Sequence, residues 1–436
     1  MLSAFRNAFK VPDLRNKILF TLSIIAVYRL GSHLPLPGVD FTQVRALQDQ
    51  AQGGGITALI NLFSGGALTN FAIFALGIMP YITSSIIMQL LTVVIPRLEA
   101  LQKEGEVGRK KITQYTRYMT VVLALLQSLG IIVTANSGNL FGGGAGAPIG
   151  DFFPDTSVGS IALVVLTLTA GTAMIMWMGE LITQRGIGNG MSIMIFASII
   201  SALPTQSLNL WVSAGVVKGI VFIVLGLAIV VTVVTVEQGQ RRIPVQYAKR
   251  VVGRRAYGGQ STYIPMKVNQ AGVIPIIFAS SLLYLPVLAS TIVQNEGFRD
   301  FANRYFGLQG TGSEIWVYVL VYFSLIIFFT YFYTAITFNP TDVADNIKKY
   351  GGFIPGIRPG KPTSDYLGYT LNRITLPGAA FLGMIAVLPF IAQGAWSIQA
   401  FPFAGTAVLI MVGVGLETMK QVESQLMTRH YEGFLR

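Results

Sequence analysis

The sequence predicts an all-α integral membrane protein of ten transmembrane helices, and three observations predict it. The chain is 52% hydrophobic and only 11% charged, where a soluble domain carries about a quarter charged residues. Its apolar residues fall into long blocks close to the ~20 residues that cross a bilayer core. Its basic residues concentrate in alternate connections between those blocks. The spans lie near 18–36, 72–95, 118–136, 160–178, 191–210, 215–236, 271–294, 314–336, 375–393 and 402–419.

An even number of spans puts both termini on one side. That side takes segments 1–17, 96–117, 179–190, 237–270, 337–374 and 420–436. They hold every Lys and Arg of the chain's 31 except Arg29, Arg45, Lys218, Arg299 and Arg304. So lopsided a distribution marks the cytoplasmic face. It accounts for most of the net charge of +12 without a nucleic-acid partner. The first 30 residues have the basic start and apolar stretch of a signal peptide. Arg29 and the Pro35/Pro37 pair follow in place of a small-residue cleavage site, so the segment reads as a retained first span. Arg29 itself reads as a side chain snorkelling to the interface.

Spans one to five and six to ten give two halves, about 1–205 and 206–420, followed by a cytoplasmic tail, 421–436. The first half starts inside and the second outside, so like-numbered spans run in opposite directions. Inverted halves of this kind place a pathway at their interface. Two connections are large and basic. The 237–270 loop holds Arg241-Arg242, Lys249-Arg250 and Arg254-Arg255, and the 337–374 loop holds Lys348-Lys349 and Arg358 between Pro-Gly bends. They suit an anionic partner such as RNA or an acidic protein face; orientation charge alone is the other reading.

Residues 53–70 form a short apolar stretch with glycine at both ends, too short to span. It reads as a re-entrant piece in a cavity or as a helix lying flat on the outer surface. Gly186-Ile187-Gly188-Asn189-Gly190 lacks the preceding strand and the Lys-Ser/Thr of a phosphate loop, and reads as a tight turn. There is no cysteine, which excludes disulfides, Cys-ligated zinc and a thiol nucleophile. His33 and His430 stand alone and are not read as metal ligands. The midplane of every span is free of Asp, Glu, Lys and Arg, which weighs against a proton-coupled transporter. No acid–base or nucleophile constellation suggests an enzyme. What remains is an apolar pathway. Pairs such as Ile78/Ile82 and Met191/Ile195 sit ~6 Å apart along one helix face, and apolar constrictions gate by dewetting. Spacing alone does not choose these residues over others like them.

The motifs select a family. Gly77-Ile78-Met79-Pro80-Tyr81-Ile82, Gln89-Leu90-Leu91-Thr92, Phe63-Ser64-Gly65-Gly66-Ala67-Leu68, Lys111-Ile112-Thr113-Gln114-Tyr115-Thr116-Arg117-Tyr118, the run Gly179–Gly190, Lys267-Val268-Asn269-Gln270-Ala271-Gly272 and Gly356-Ile357-Arg358-Pro359-Gly360 resemble, in order, the SecY family of the bacterial Sec translocon. The resemblance implies two inverted, pseudo-symmetric five-helix halves around a central pore. It implies a re-entrant plug helix at about 56–70, with Ile56, Leu59, Ile60, Leu62, Phe63, Ser64, Gly65 and Gly66. It implies a pore ring of Ile78, Ile82, Met191, Ile195, Ile277 and Ile410, Met191 departing from the β-branched preference. It implies a lateral gate with Thr83, Gln127 and Asn269, and ribosome or SecA contacts at Arg241, Arg254, Arg255 and Arg358. The implied partners are SecE, SecG, the SecA ATPase, the translating ribosome with its RNA, signal-bearing nascent chains and membrane lipid. No cofactor or catalysis is implied. The expected function is a protein-conducting channel in the bacterial plasma membrane. The alternative is an inverted-repeat secondary transporter of small solutes.

Overall fold

The protein is described by a computed structural model over residues 9–39, 64–136, 157–247, 250–252, 255–257, 261–292, 296–306, 313–396 and 405–432. Helix α1, Pro12–Gly31, starts on a proline at its first turn and carries Asp13 there, with Arg29 in its last turn. That order suits the helix dipole. The helix ends before the predicted limit of 36, because Pro35 and Pro37 cannot continue it.

The second predicted span, 72–95, is helical only as α2, Met79–Val94. Residues 71–78 form successive turns. Phe71 and Gly77 stand at positive φ, 43° and 58°, which no α-helix accepts. These turns are buried, and part of their backbone is paired. The Leu36 amide donates to Phe71 O at 2.9 Å and the Ile73 amide to Leu34 O at 2.9 Å. Irregular backbone is tolerated in a membrane protein where protein surrounds it in this way. Ile95 is extended ahead of Pro96, and α3, Pro96–Lys103, leaves at 99° to α2. Then follow α4, Glu106–Asn136, and α5, Val158–Arg185.

Helix α6, Gly190–Gln238, covers both the fifth and the sixth predicted spans with Pro204 inside it. The separating loop expected near 211–214 is absent from the backbone pattern. A straight helix of 49 residues would put its ends ~74 Å apart. Yet a side chain at Gly188 would meet Thr418 and Gln421, while Glu237 lies within electrostatic reach of Glu417 and Lys420. Both ends approach the same turns of one helix, so α6 folds back within its length.

The all-α expectation needs correction. The chain between α6 and α7 forms strands β1, Gln240–Tyr247, β2, Arg250–Val252, β3, Arg255–Tyr257, and β4, Ser261–Lys267. Helices α7, Ile274–Ile292, α8, Glu296–Phe306, α9, Ser313–Thr337, and α10, Pro340–Lys349, follow. The chain then adds β5, Gly352–Phe353, and ends in α11, Lys361–Trp396, and α12, Gly405–Glu432. Strands β2 and β3 pair as a hairpin, while β4, β1 and β5 make an antiparallel sheet in that order. Gln246 pairs with Phe353 and Tyr247 with Gly352, so the two basic loops are one folded unit. Ile243 and Val245 alternate inward with Met266, Ile347, Ile354, Leu367 and Leu371 as its core. Pro244 is tolerated in the middle strand because β5 reaches only as far as Gln246.

Among the described residues five helical stretches are long and apolar enough to cross a membrane, and the bent α2–α3 pair makes a sixth. Packing sorts their ends. Leu14, Ile18, Ile187 and Val422 share one small core at one pole. Leu36, Leu68, Phe71, Ile131, Ile132 and Val164 share another, beyond the end of α1 and around the start of α5. The first pole gathers segments that the charge pattern assigns to one side.

Candidate functional site

The two halves of the chain touch along two seams. On one side α7 packs against α2 and α4; on the other α12 meets the first stretch of α6, where a Cβ on Gly415 would lie 3.8 Å from the Phe196 ring. The six residues of the expected ring lie on α2, α6, α7 and α12, with Ile78 one position ahead of the start of α2. Five of them, Ile78, Ile82, Ile195, Ile277 and Ile410, are buried in one apolar cluster, and the half-buried Met191 packs against it. The cluster is large, and membership does not separate these six from their neighbours.

Local chemistry places each contributor. The turn Gly186–Gly190 sets the start of α6. Gly188 takes φ +78°, the Asn189 side chain caps the helix by accepting from the Met191 amide at 3.1 Å, and Thr183 Oγ1 accepts from the Gly190 amide at 2.9 Å. A Cβ on Gly190 would stand 1.8 Å from Gly179 O, and one on Gly179 would strike Met191 Sδ. Glycine at both positions lets α5 and α6 approach closely and seats Met191 against the cluster.

The neighbouring Glu180 is tied to α4. Arg117 Nε donates to its Oε1 at 2.8 Å and Nη2 to Oε2, a bidentate pair, while Nη1 reaches Gln114 Oε1 at 3.0 Å. Tyr81 of α2 lies within electrostatic reach of both charges. The sequence reading passed over this pair: its members are 63 positions apart, with no local pattern linking them.

The expected gate residues are all buried, and the structure does not pair them with one another. Thr83 Oγ1 donates within its own helix to Met79 O at 3.0 Å. Asn269 Nδ2 donates to Glu237 Oε1 and to Gly272 O, the latter at 3.0 Å. Gln127 Nε2 and Asn269 Oδ1 have no protein partner among the described residues. Asn269 therefore joins the end of α6 to the start of α7.

Arg241 and Arg358 are exposed on the folded unit of the basic loops. The Arg358 carbonyl accepts from Thr363 Oγ1 at 2.9 Å, which fixes the Pro-Gly bend. Arg255 belongs to β3, and Arg254 lies outside the described residues. Of the expected plug, Ile56, Leu59, Ile60, Leu62 and Phe63 also lie outside them, while Ser64, Gly65 and Gly66 are described. The carbonyl of Gly65 meets a side chain expected at the interface. Arg29 Nη1 donates to Gly65 O at 2.8 Å.

A model of the SecY family matches residues 72–419. The chain belongs to the SecY family. It is 57% identical to the protein translocase subunit SecY of Streptomyces coelicolor over 100% of both chains. It is 55% identical to that of Mycobacterium tuberculosis, again over 100% of both. Among solved structures, that of a protein-conducting channel matches with a TM-score of 0.62 at 18% identity, covering 94% of this chain and 91% of that one. Sec61 from the canine ribosome–channel complex of the endoplasmic reticulum matches with a TM-score of 0.60 at 17% identity, over 94% and 91%. Both likenesses establish the fold. Family membership makes this chain a SecY-type channel subunit.

Proposed function

We infer that this chain forms the pathway by which unfolded secretory proteins cross a bacterial plasma membrane and by which apolar segments leave sideways into lipid. The observation that carries the reading is the meeting of α2, α6, α7 and α12 in one apolar cluster between two seams. Such a constriction excludes water and ions without charge. Side chains of Ile and Met can close around a passenger of any sequence. The α7 seam against α2 and α4 is the exit for segments that partition into lipid by their transfer free energy.

Ten crossings fit the positive-inside pattern, the fold-back of α6 supplying the fifth and sixth. Both termini are then cytoplasmic. The segment ending at Ser64–Gly66 is the plug on the outer side. SecE and SecG complete the complex. The chain works passively, driven by the SecA ATPase or a translating ribosome docked on the unit that carries Arg241 and Arg358. The ribosome-bound Sec61 relative supports the second partner. Family membership gives the secondary-transporter alternative no support.

A photo-crosslinker at Ile195 tests the pathway against a stalled secretory precursor, with Leu225 on an exposed part of α6 as the control. An adduct at Ile195 and none at Leu225 is expected. No adduct at Ile195, in complexes shown to hold the precursor, would move the pathway elsewhere. A second experiment addresses docking. Arg358→Glu inverts an exposed charge on a rigid bend and is expected to lower SecA-driven export several-fold in reconstituted vesicles, leaving assembly unchanged. Normal export would remove Arg358 from the docking surface.

A further inference from the structure

The end of α1 and the chain ahead of α2 are bound together more closely than neighbouring spans require. Tyr28 is fully buried. Its hydroxyl lies 3.3 Å from Ser64 O and 2.7 Å from Ser198 Oγ of α6, itself 3.0 Å from Met194 O; when Ser198 donates to Tyr28, the Tyr28 proton goes to Ser64 O. The next residue, Arg29, donates to Gly65 O at 2.8 Å. The third carbonyl in the series, Gly66 O, is met locally by Thr69 Oγ1 at 2.8 Å. The Ser64 carbonyl also accepts from the Ala67 amide at 3.4 Å, so of these three successive carbonyls Ser64 and Gly65 have side-chain partners from α1.

The fit is specific to glycine. Gly65 has φ +65°, and a Cβ there would lie 2.9 Å from Arg29 Nη1 and 3.3 Å from Ser198 Cα. Around it, Tyr28 stacks on Phe74 at 5.9 Å. A Cβ on Gly31 would stand 2.0 Å from the Phe74 ring. Residues 34–36 pair with 71–73. Among the described residues no carboxylate lies within ion-pair distance of Arg29. Among the described residues its side-chain bond goes to a backbone carbonyl, and such a bond can be exchanged for water when the chain moves away. Ser198 lies three positions beyond Ile195, so displacement of Ile195 by a passenger also pulls on Ser198.

We propose that Tyr28, Arg29 and Ser198 are positioning residues: an anchor that fixes the carbonyls of Ser64 and Gly65 to α1 and α6 and sets how readily Ser64–Gly66 leave the place they occupy here. The role rests on the channel reading, in which these residues belong to the outer seal.

The test uses the complete complex in proteoliposomes, with Arg29→Ala, Arg29→Lys, Tyr28→Phe and Ser198→Ala. Two properties are read: amide hydrogen exchange across Ala67–Ala72, with α9 as internal reference, and ion conductance of the idle complex. Arg29→Ala is expected to speed exchange in that stretch about tenfold, leave α9 unchanged and raise conductance. Arg29→Lys, which keeps a cationic donor, restores most of the wild-type values. Tyr28→Phe removes one oxygen without disturbing packing and is expected to move both readings in the same direction by less. Unchanged exchange and conductance in Arg29→Ala and Tyr28→Phe would overturn the anchor. Deletion of residues 57–67 distinguishes the seal from its anchor. A leaking deletion with a tight Arg29→Ala overturns the anchor and leaves the channel reading in place. A tight deletion overturns the seal assignment and the anchor with it, while the Ile195 adduct still judges the pathway.

Discussion

Ile410→Asn is expected to raise the ion conductance of the idle, reconstituted complex at least tenfold. Ile410 is wholly buried where the four seam helices meet. Burying an isoleucine side chain is worth ~1.5–3 kcal/mol, and ~1.4 kcal/mol corresponds to a factor of ten. Asparagine brings donors and acceptors that hold water in the constriction, which removes the dewetting barrier. The control is Val408→Asn, two positions away on the same helix and 1% exposed. It disturbs packing equally but lies outside the ring, so it is expected to lower stability without matching the leak. Ion flux into vesicles measures both. Equal conductance from the two variants would show that general loosening, and not a ring at Ile410, controls the seal.

The second large effect concerns stability. In the Arg117–Glu180 pair the carboxylate side chain is 14% exposed and the guanidinium 36%. Removing either partner strands the other. Stranding the more buried Glu180 is the costlier case, so Arg117→Ala is expected to destabilise the complex more than Glu180→Ala. Loss of a fully buried pair partner costs ~3–5 kcal/mol, and partial exposure of Arg117 screens this to ~2 kcal/mol. The double variant is expected to be more stable than the sum of the single losses predicts. Thermal unfolding in detergent, read as a double-mutant cycle, gives the coupling. Strict additivity would mean that the pair is incidental. Because Glu180 adjoins the glycine on which Met191 rests, Arg117→Ala is also expected to loosen the start of α6.

The helices were readable from the sequence because lipid imposes a simple rule: a span is a long apolar block. Five described helical stretches and the bent pair meet that rule. The rule fails where protein replaces lipid. Residues 71–78 are apolar enough to extend α2, but Phe71 and Gly77 at positive φ turn the backbone inside the protein. The sheet was missed for a different reason. Strand β1 carries the alternation Ile243/Val245, but Pro244 masks it, and its partner β5 lies about 100 residues away. The residues proposed for the ring share their Ile-rich composition with many other apolar positions, so only the family resemblance could pick them out. The Arg29 contact was not legible because a lone cation at a span end suggests only snorkelling. Its carbonyl partner is a backbone group, which composition cannot reveal.

The union of the two basic loops in one sheet has a thermodynamic consequence. Strand β4 ends at Lys267, Asn269 is bonded to Glu237 and Gly272, and α7 begins at Ile274. Six residues therefore separate the proposed docking surface from the helix that lines the proposed exit seam. If a motor or ribosome binds the sheet more tightly when α7 has swung outward, linkage makes the relation reciprocal. A passenger lodged in the seam must strengthen the grip of whatever is docked on the sheet, by the same factor. A complex at work then retains its driver, and an empty one releases it.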